Sequence, residues 1–266
     1  MKPSANLKRL IEAAAPYFAA EAEIIGAYFN SPKRDKESDL LWLARQARKE
    51  FWDSFDNTER CLFLSPLKKL MANWDRIDSG GFSRHDALEE AETLYEEFSH
   101  YVAFADAYDA IKEANDPAIT PTMLRDVRMW PENEALHDIR TKHRVEHGDL
   151  GMRACHFTEG GYCSLFTEGM KLKGSKANEA IARASLLVYE DEFHHMLRGI
   201  AGLDAEGMSA AEWDKLWELS LAQLKARLRM RNAQFGNAVP EARMQELLAG
   251  KARPIQFDYQ KAGLAA

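Results

Sequence analysis

The segment YEDEFHHM at residues 189–196 places acidic and imidazole side chains close together along the chain. If this segment is helical, Glu192 and His195 lie on one face about one turn apart, where both could bind the same metal ion. Asp191 would then stand beside them. If the face points inward, these carboxylates need a positive partner, because an isolated buried charge is very unfavourable.

Two further Glu-x-x-His pairs occur, at Glu97/His100 and at Glu134/His137. This spacing also arises by chance in a chain with many acids and 8 histidines, so a single pair is weak evidence. The second pair begins a polar helix directly after Pro131, and we expect it at the surface. The pairs at 97–100 and 192–195 have apolar or aromatic neighbours one turn away and remain candidates.

Helices must position these residues, because apolar side chains recur every three to four residues and no segment alternates as a strand would. Segments rich in Gly, Pro, Asn or Asp mark the breaks between helices. Pro66 should kink or split the second helix. The predicted helices cover about 4–29, 37–76, 83–114, 132–172, 177–202, 209–235 and 240–249. The expected fold is all-α, a single domain over 1–266 with a bundle core at 37–202 and accessory helices at 4–29 and 209–249.

Antiparallel helices joined by a short turn bring together residues that are equidistant from that turn. Glu159 and Glu192 are equidistant from the turn KGSK at 173–176. The residue opposite Glu97 should lie as far before the turn at 78–81 as Glu97 lies after it, which is near residue 62. Glu59 is the acid closest to that position, and Asp56 is the next. Each predicted hairpin therefore offers one single Glu and one Glu-x-x-His pair.

Two divalent cations would neutralise four such carboxylates. Four Glu and two His form an oxygen-rich donor set with imidazole, which suits iron or manganese better than a metal that prefers thiolates. Asp191 and Glu96 stand directly before Glu192 and Glu97, where each could accept the free ring N–H of a metal-bound histidine.

These residues resemble the pattern of the ferritin-like di-iron carboxylate superfamily: Glu, Glu-x-x-His, Glu, Glu-x-x-His on four successive helices. Here the pattern is Glu59, EFSH at 97–100, Glu159 and DEFHH at 191–195. Its spacing is similar to that of the oxygenase and oxidase branch. The resemblance covers about 37–202 and implies two antiparallel hairpins joined by a long crossover, for which residues 115–134 are available.

The resemblance implies a cofactor of two iron ions, or one manganese and one iron, that reacts with O₂. Glu97 and Glu192 would bridge the metals, with Glu59 and Glu159 terminal. Cys163 and Tyr189, one turn from predicted ligands, would line the pocket for O₂ and substrate. The expected reaction is hydroxylation, N-oxygenation, desaturation or oxidative cleavage of a small organic molecule.

The expected partners follow from what the sequence lacks. It contains no flavin, nicotinamide or iron–sulfur motif, so electrons would come from a ferredoxin or reductase. A net charge of −7 argues against a nucleic-acid partner. We interpret the basic run at 224–231 as a solvated helix face. The absence of an 18-residue apolar run and of a signal-peptide pattern predicts a cytoplasmic protein. A homodimer is one further assembly to consider.

Several alternatives stay open. The sequence HRVEH at 143–147 matches the H-x-x-E-H motif of zinc hydrolases. A ferritin-like iron-binding or ferroxidase protein without an organic substrate would use the same ligands, and a helical interaction protein would leave the acids solvated. His194 competes with His195 through the pair Asp191/His194, although adjacent helical residues point about 100° apart. In a heme-oxygenase-like di-iron fold an additional His would stand at Val188.

Overall fold

The computed structural model of the protein describes residues 3–51, 64–127, 129–159, 164–205 and 207–255. Within these ranges, the side chains of 64, 65, 159, 190 and 193–205 are not described. The regular structure of the described residues is helical throughout, apart from an isolated bridge between Ile77 and Phe82. The predicted all-α class is therefore confirmed for the described part of the chain.

Ten α-helices and one short 3₁₀ helix make up the described structure. They are α1 (Ala5–Phe29), α2 (Lys36–Phe51), α3 (Leu64–Asn73), the 3₁₀ turn (Trp74–Arg76), α4 (Arg84–Ile111), α5 (Pro121–Asp126), α6 (Pro131–Glu159), α7 (Ser164–Gly169), α8 (Lys176–Ala205), α9 (Ala210–Gln234) and α10 (Glu241–Leu248). No helix among the described residues combines the length and apolar character that crossing a membrane requires.

The helix starts follow local capping chemistry. Ser83 and Ser209 cap α4 and α9 as their sequences predict, and each forms a reciprocal capping box with the acid three residues later. Thr120 caps the short α5, with Pro121 in the first turn. This helix lies in the segment 115–134 that we expected to form the long crossover, and Thr-Pro is a recognisable helix start.

The expectation of one continuous helix over 132–172 is wrong. At Gly148 the backbone takes φ 50° and ψ −119°, and α6 folds back on itself there. Arg140 Nη2 consequently donates to Thr158 Oγ1 at 3.3 Å across the two arms. A Cβ on Gly151 would lie 2.0 Å from the backbone oxygen of His143, so this close approach requires glycine. The helix then ends at Glu159, and α7 begins at Ser164.

Within the expected helix over 37–76, the described residues form α2 (Lys36–Phe51) and α3 (Leu64–Asn73), while 52–63 lie outside the described residues. The α-helix ends at Asn73, three residues earlier than expected, and Trp74–Arg76 form the 3₁₀ turn. Pro66 lies in α3.

Contacts divide the chain into two units, one of residues 1–34, 130–171 and 189–266 and the other of 35–129 and 172–188. In the first unit α9 packs on α6 and α1, and α1 also contacts α7 and α10. In the second unit α4 packs on α2 and α3, and α2 contacts α5. The helix α8 runs through the division without a break, so its first half belongs to the second unit.

The first unit contains a buried ion triad. The Glu21 carboxylate on α1 accepts from Arg227 Nε at 2.8 Å and from Arg231 Nε at 2.7 Å, both on α9. Burial alone would raise the pKa of Glu21, but the two guanidinium groups outweigh it and hold that pKa below its ordinary value. The interpretation of 224–231 as a solvated face is therefore wrong for Arg227 and Arg231, which are both buried.

A neutral hydrogen-bond network joins α6 to α9 in the same unit. Thr158 Oγ1 donates to Gln223 Oε1 at 2.7 Å, and the Gln223 amide lies 3.0 Å from His143 Nδ1. With the amide donating, the ring nitrogen accepts, which requires an uncharged imidazole. Partial burial, with smaller contributions from the neighbouring side chains of His147 and Lys142, lowers the pKa of His143.

In the second unit, aromatic and polar side chains fasten α2 to its neighbours. Trp42 on α2 meets Phe104 on α4 edge to face, with ring centroids 6.4 Å apart. The buried Arg48 donates through Nε to the backbone oxygen of Val127 at 2.8 Å, which ties α2 to the end of α5. These contacts fix the faces of α2 and α4 that point at each other.

Replacing Glu21 by Gln should destabilise the protein by about 3–5 kcal/mol, because two buried guanidinium groups would lose their counter-charge. Chemical denaturation monitored by circular dichroism measures this change. The matched control is Glu23→Gln on the same helix, which removes a partly exposed pair with Arg243 and should cost much less. Equal effects of the two substitutions would contradict the importance of the buried triad.

The lowered pKa of His143 predicts a pH dependence of stability. The unfolded chain binds a proton near pH 6.5, whereas the folded chain does so only at lower pH. The contribution of the neutral His143 side chain to the free energy of unfolding is therefore complete above about pH 6.5. It is lost as pH falls through the lower pKa of the folded state. Unfolding free energies measured in urea between about pH 5 and 7.5 should show a steeper decline for the natural protein than for His143→Gln. If the unfolding free energies of the natural protein and of His143→Gln fall in parallel with pH, His143 is not the group responsible.

Candidate metal centre

A buried histidine and a buried glutamate meet where α2 packs on α4. His100 is on the face of α4 that also carries Phe104 and Ala107, and its side chain is 0% exposed. Glu50 is on α2, on the face that carries Ala47. The distance from His100 Nδ1 to Glu50 Oε2 is 3.7 Å.

The two side chains come from different helices of the second unit. An imidazole on α4 and a carboxylate on α2 thus meet inside this unit. Glu192 is partly buried on α8, one turn beyond Val188.

The electrostatics around Glu50 favour its ionised form. Burial raises the pKa of this carboxyl, but His100, Lys49 and the Gln46 amide together lower it below the ordinary value of a glutamate. Gln46 donates a hydrogen bond to Glu50 Oε1. The 3.7 Å separation from His100 exceeds hydrogen-bond length, so we attribute the effect of His100 to charge attraction.

The donor pair fits a divalent metal ion. A carboxylate oxygen and an imidazole nitrogen are ligands of iron, manganese or zinc. Atoms that bind one ion at about 2.1 Å lie no more than about 4.2 Å apart. His100 Nδ1 and Glu50 Oε2, at 3.7 Å, already lie within this distance.

The structure places the residues that the sequence singled out as follows. His100 belongs to the pair described above, and Glu97 lies one turn before it on α4, partly buried. Glu192 is partly buried on α8. Glu96, Asp191 and Tyr189 are also partly buried. Glu59, Asp56 and Cys163 lie outside the described residues, and Glu159, His194 and His195 are in described helices but their side chains are not described. The six-ligand set thus stays a prediction. Glu134 is exposed, as expected.

Glu50 was not among the candidates that the sequence predicted. The partner of Glu97 was expected by reflection through the turn at 78–81, which requires a uniform rise of about 1.5 Å per residue up to that turn. The α-helix ends at Asn73, and residues 74–76 form a 3₁₀ turn with a larger rise per residue. A usable signal was present, since Glu50 follows Leu43 and Ala47 at helical spacing on a buried face.

The H-x-x-E-H segment has a different environment. His143 Nδ1 faces the Gln223 amide at 3.0 Å, and its ring centroid lies 6.2 Å from that of His147. Glu146 is exposed, and the helix breaks at Gly148 directly after the motif. In the described residues His143 therefore serves the packing of α6 on α9.

Comparisons of the chain with protein-family models, with curated proteins and with solved structures found no match. The likeness to the ferritin-like superfamily accordingly rests on the residues of this chain alone.

Proposed function

We propose that the protein binds a divalent metal ion, iron or manganese, through Glu50 and His100, with Glu192 as a further ligand, and that it catalyses an O₂-dependent oxidation of a small organic molecule. The observation that carries the proposal is the fully buried imidazole of His100 at 3.7 Å from the buried carboxylate of Glu50. Glu192 is proposed because it is the acid of the Glu-x-x-His pair on α8 that the resemblance implies as a ligand.

A ferritin-like di-iron site would extend this group to two ions. Glu97 stands one turn before His100 on α4, in the position from which a carboxylate reaches a neighbouring ion. Glu59, Glu159 and His195 are the further ligands that the resemblance implies. The two antiparallel hairpins and the cytoplasmic location belong to the same proposal.

The residues around the site favour the binding of a metal ion. Gln46 holds one oxygen of Glu50, which leaves the other directed at His100. Phe104 is fully buried one turn after His100, and Phe51 packs on Tyr101 with ring centroids 4.9 Å apart. These aromatic rings exclude water and strengthen the electrostatic attraction between carboxylates and cation. A bound ferrous centre would supply O₂ activation, with electrons from a ferredoxin or reductase.

The proposal predicts the metal content of the protein. Protein produced with added iron and without a chelating tag should contain about two iron ions per chain, or one iron and one manganese, measured by plasma mass spectrometry. Glu50→Gln, His100→Gln and Glu192→Gln should each weaken metal binding by at least about 100-fold, because each removes a ligand. Circular dichroism should show unchanged helical content.

Exposed residues on the same helices provide matched controls: Glu37→Gln on α2 and His85→Gln on α4 should keep the full metal content. One ion per chain that is lost with Glu50→Gln would support the site but contradict the di-iron extension. One zinc ion that is unaffected by Glu50→Gln would move the site to the histidines at 143 and 147. Folded protein without metal would contradict the proposal.

Metal-dependent oxidation is tested separately. The iron-loaded protein with a chemical reductant should consume O₂ in an oxygen electrode, and Glu192→Gln should consume it no faster than buffer. Consumption of O₂ only while ferrous iron is being added, with no turnover afterwards, would indicate a ferroxidase without an organic substrate.

A further inference from the structure

The helix α4 exposes a row of large apolar side chains. Leu88, Tyr95 and Val102 follow one another at intervals of seven residues, with Phe98 between the last two, so all four lie on one face. Tyr95 is 73% exposed and Phe98 41%. Scattered exposed apolar residues are ordinary, but a continuous row on one helix face indicates an interaction surface.

The row borders a groove that has a second wall. The groove has a volume of about 450 Å³, and Leu187, in the first half of α8 and in the same unit, lines it together with Leu94, Tyr95, Phe98 and Val102. Leu187 and its neighbour Leu186 are exposed as well. We call this surface the α4 groove.

The α4 groove is separate from the candidate metal centre. Phe98 and Val102 are each two residues from His100, and two residues along a helix correspond to about 200° around its axis. His100 is fully buried whereas Phe98 and Val102 are exposed. The inference below therefore does not depend on a bound metal.

The helix that forms one wall of the groove carries an excess of acids. Between residues 86 and 111, α4 carries eight acids and no Lys or Arg. The acids are Asp86, Glu89, Glu90, Glu92, Glu96, Glu97, Asp106 and Asp109. Glu92 and Asp106 are exposed one turn beyond Tyr95 and Val102 respectively, so acids stand at both ends of the aromatic part of the row. A second copy docked by this face would bring acids against acids, whereas a basic partner would be complementary.

We propose that the α4 groove binds an amphipathic helix of another protein, with leucine-type side chains on its apolar face and lysine or arginine along its edges. The apolar side chains at 95, 98, 102 and 187 would contact the apolar face of this helix. Glu92 and Asp106 would attract its basic edges. This is the helix-in-groove mode, in which anchors recur every three to four residues.

A synthetic peptide tests the proposal with the full-length protein. The probe is a fluorescein-labelled 18-residue amphipathic peptide of leucine and lysine, and binding is measured by fluorescence anisotropy. We expect saturable binding of one peptide per chain. The double variant Tyr95→Ser/Val102→Ser should weaken binding at least about tenfold, because exposed anchors near the centre of an interface contribute most of the affinity. Asp106→Lys should weaken it as well.

Val145→Ser on α6 is the matched control, since Val145 is 80% exposed and lies outside the groove. It should leave the affinity unchanged. The substituted side chains are exposed, and circular dichroism verifies that every variant is folded. A leucine–glutamate peptide of the same pattern should not bind.

Four outcomes would overturn the proposal. They are the absence of binding, equal affinity for the glutamate peptide, equal affinity of the double variant and the natural protein, and a dimer in sedimentation velocity that Tyr95→Ser/Val102→Ser dissociates. The last outcome would identify the groove as an interface between copies of this chain.

Discussion

Burial of carboxylates on helices is the constraint that most of the described structure depends on. A carboxylate removed from water is stable only beside positive charge or several hydrogen-bond donors, so each buried acid determines which helix must face it. Glu21 on α1 requires the two arginines of α9, and this pairing aligns the two helices. Glu50 on α2 requires His100, and the same demand brings α2 and α4 together in the second unit.

The two buried acids differ in how their charge is balanced. Two guanidinium groups more than neutralise Glu21, so that triad needs nothing else. Glu50 faces the imidazole of His100 and the amide of Gln46, neither of which carries a permanent positive charge. A bound cation would supply such a charge, which is why this pair is a better candidate for a metal centre than an exposed acidic cluster.

Helix α4 combines two surfaces of opposite character. Its inner face carries His100 and Phe104, which are fully buried, whereas its outer face carries Tyr95 and Val102 with acids around them. The inner face and the outer row of α4 are both apolar, so only a narrow strip of its surface is left for polar side chains. Most of the side chains in this strip are acids. Both surfaces thus belong to one helix.

The sequence by itself determined what depends on neighbours along the chain: the helical class, the starts of α4 and α9 at Ser83 and Ser209, and the candidacy of His100 and Glu192 from their spacing. These features follow from hydrogen bonds and periodicity within a few residues. Only the tertiary structure decided that Glu50 stands beside His100, that α6 folds back at Gly148, and that Arg227 and Arg231 are buried against Glu21. Matching heights across a turn requires unbroken helices, and one left-handed glycine or one break shifts every later residue to a different partner. Whether a charged side chain is buried depends on a distant part of the chain that supplies the opposite charge.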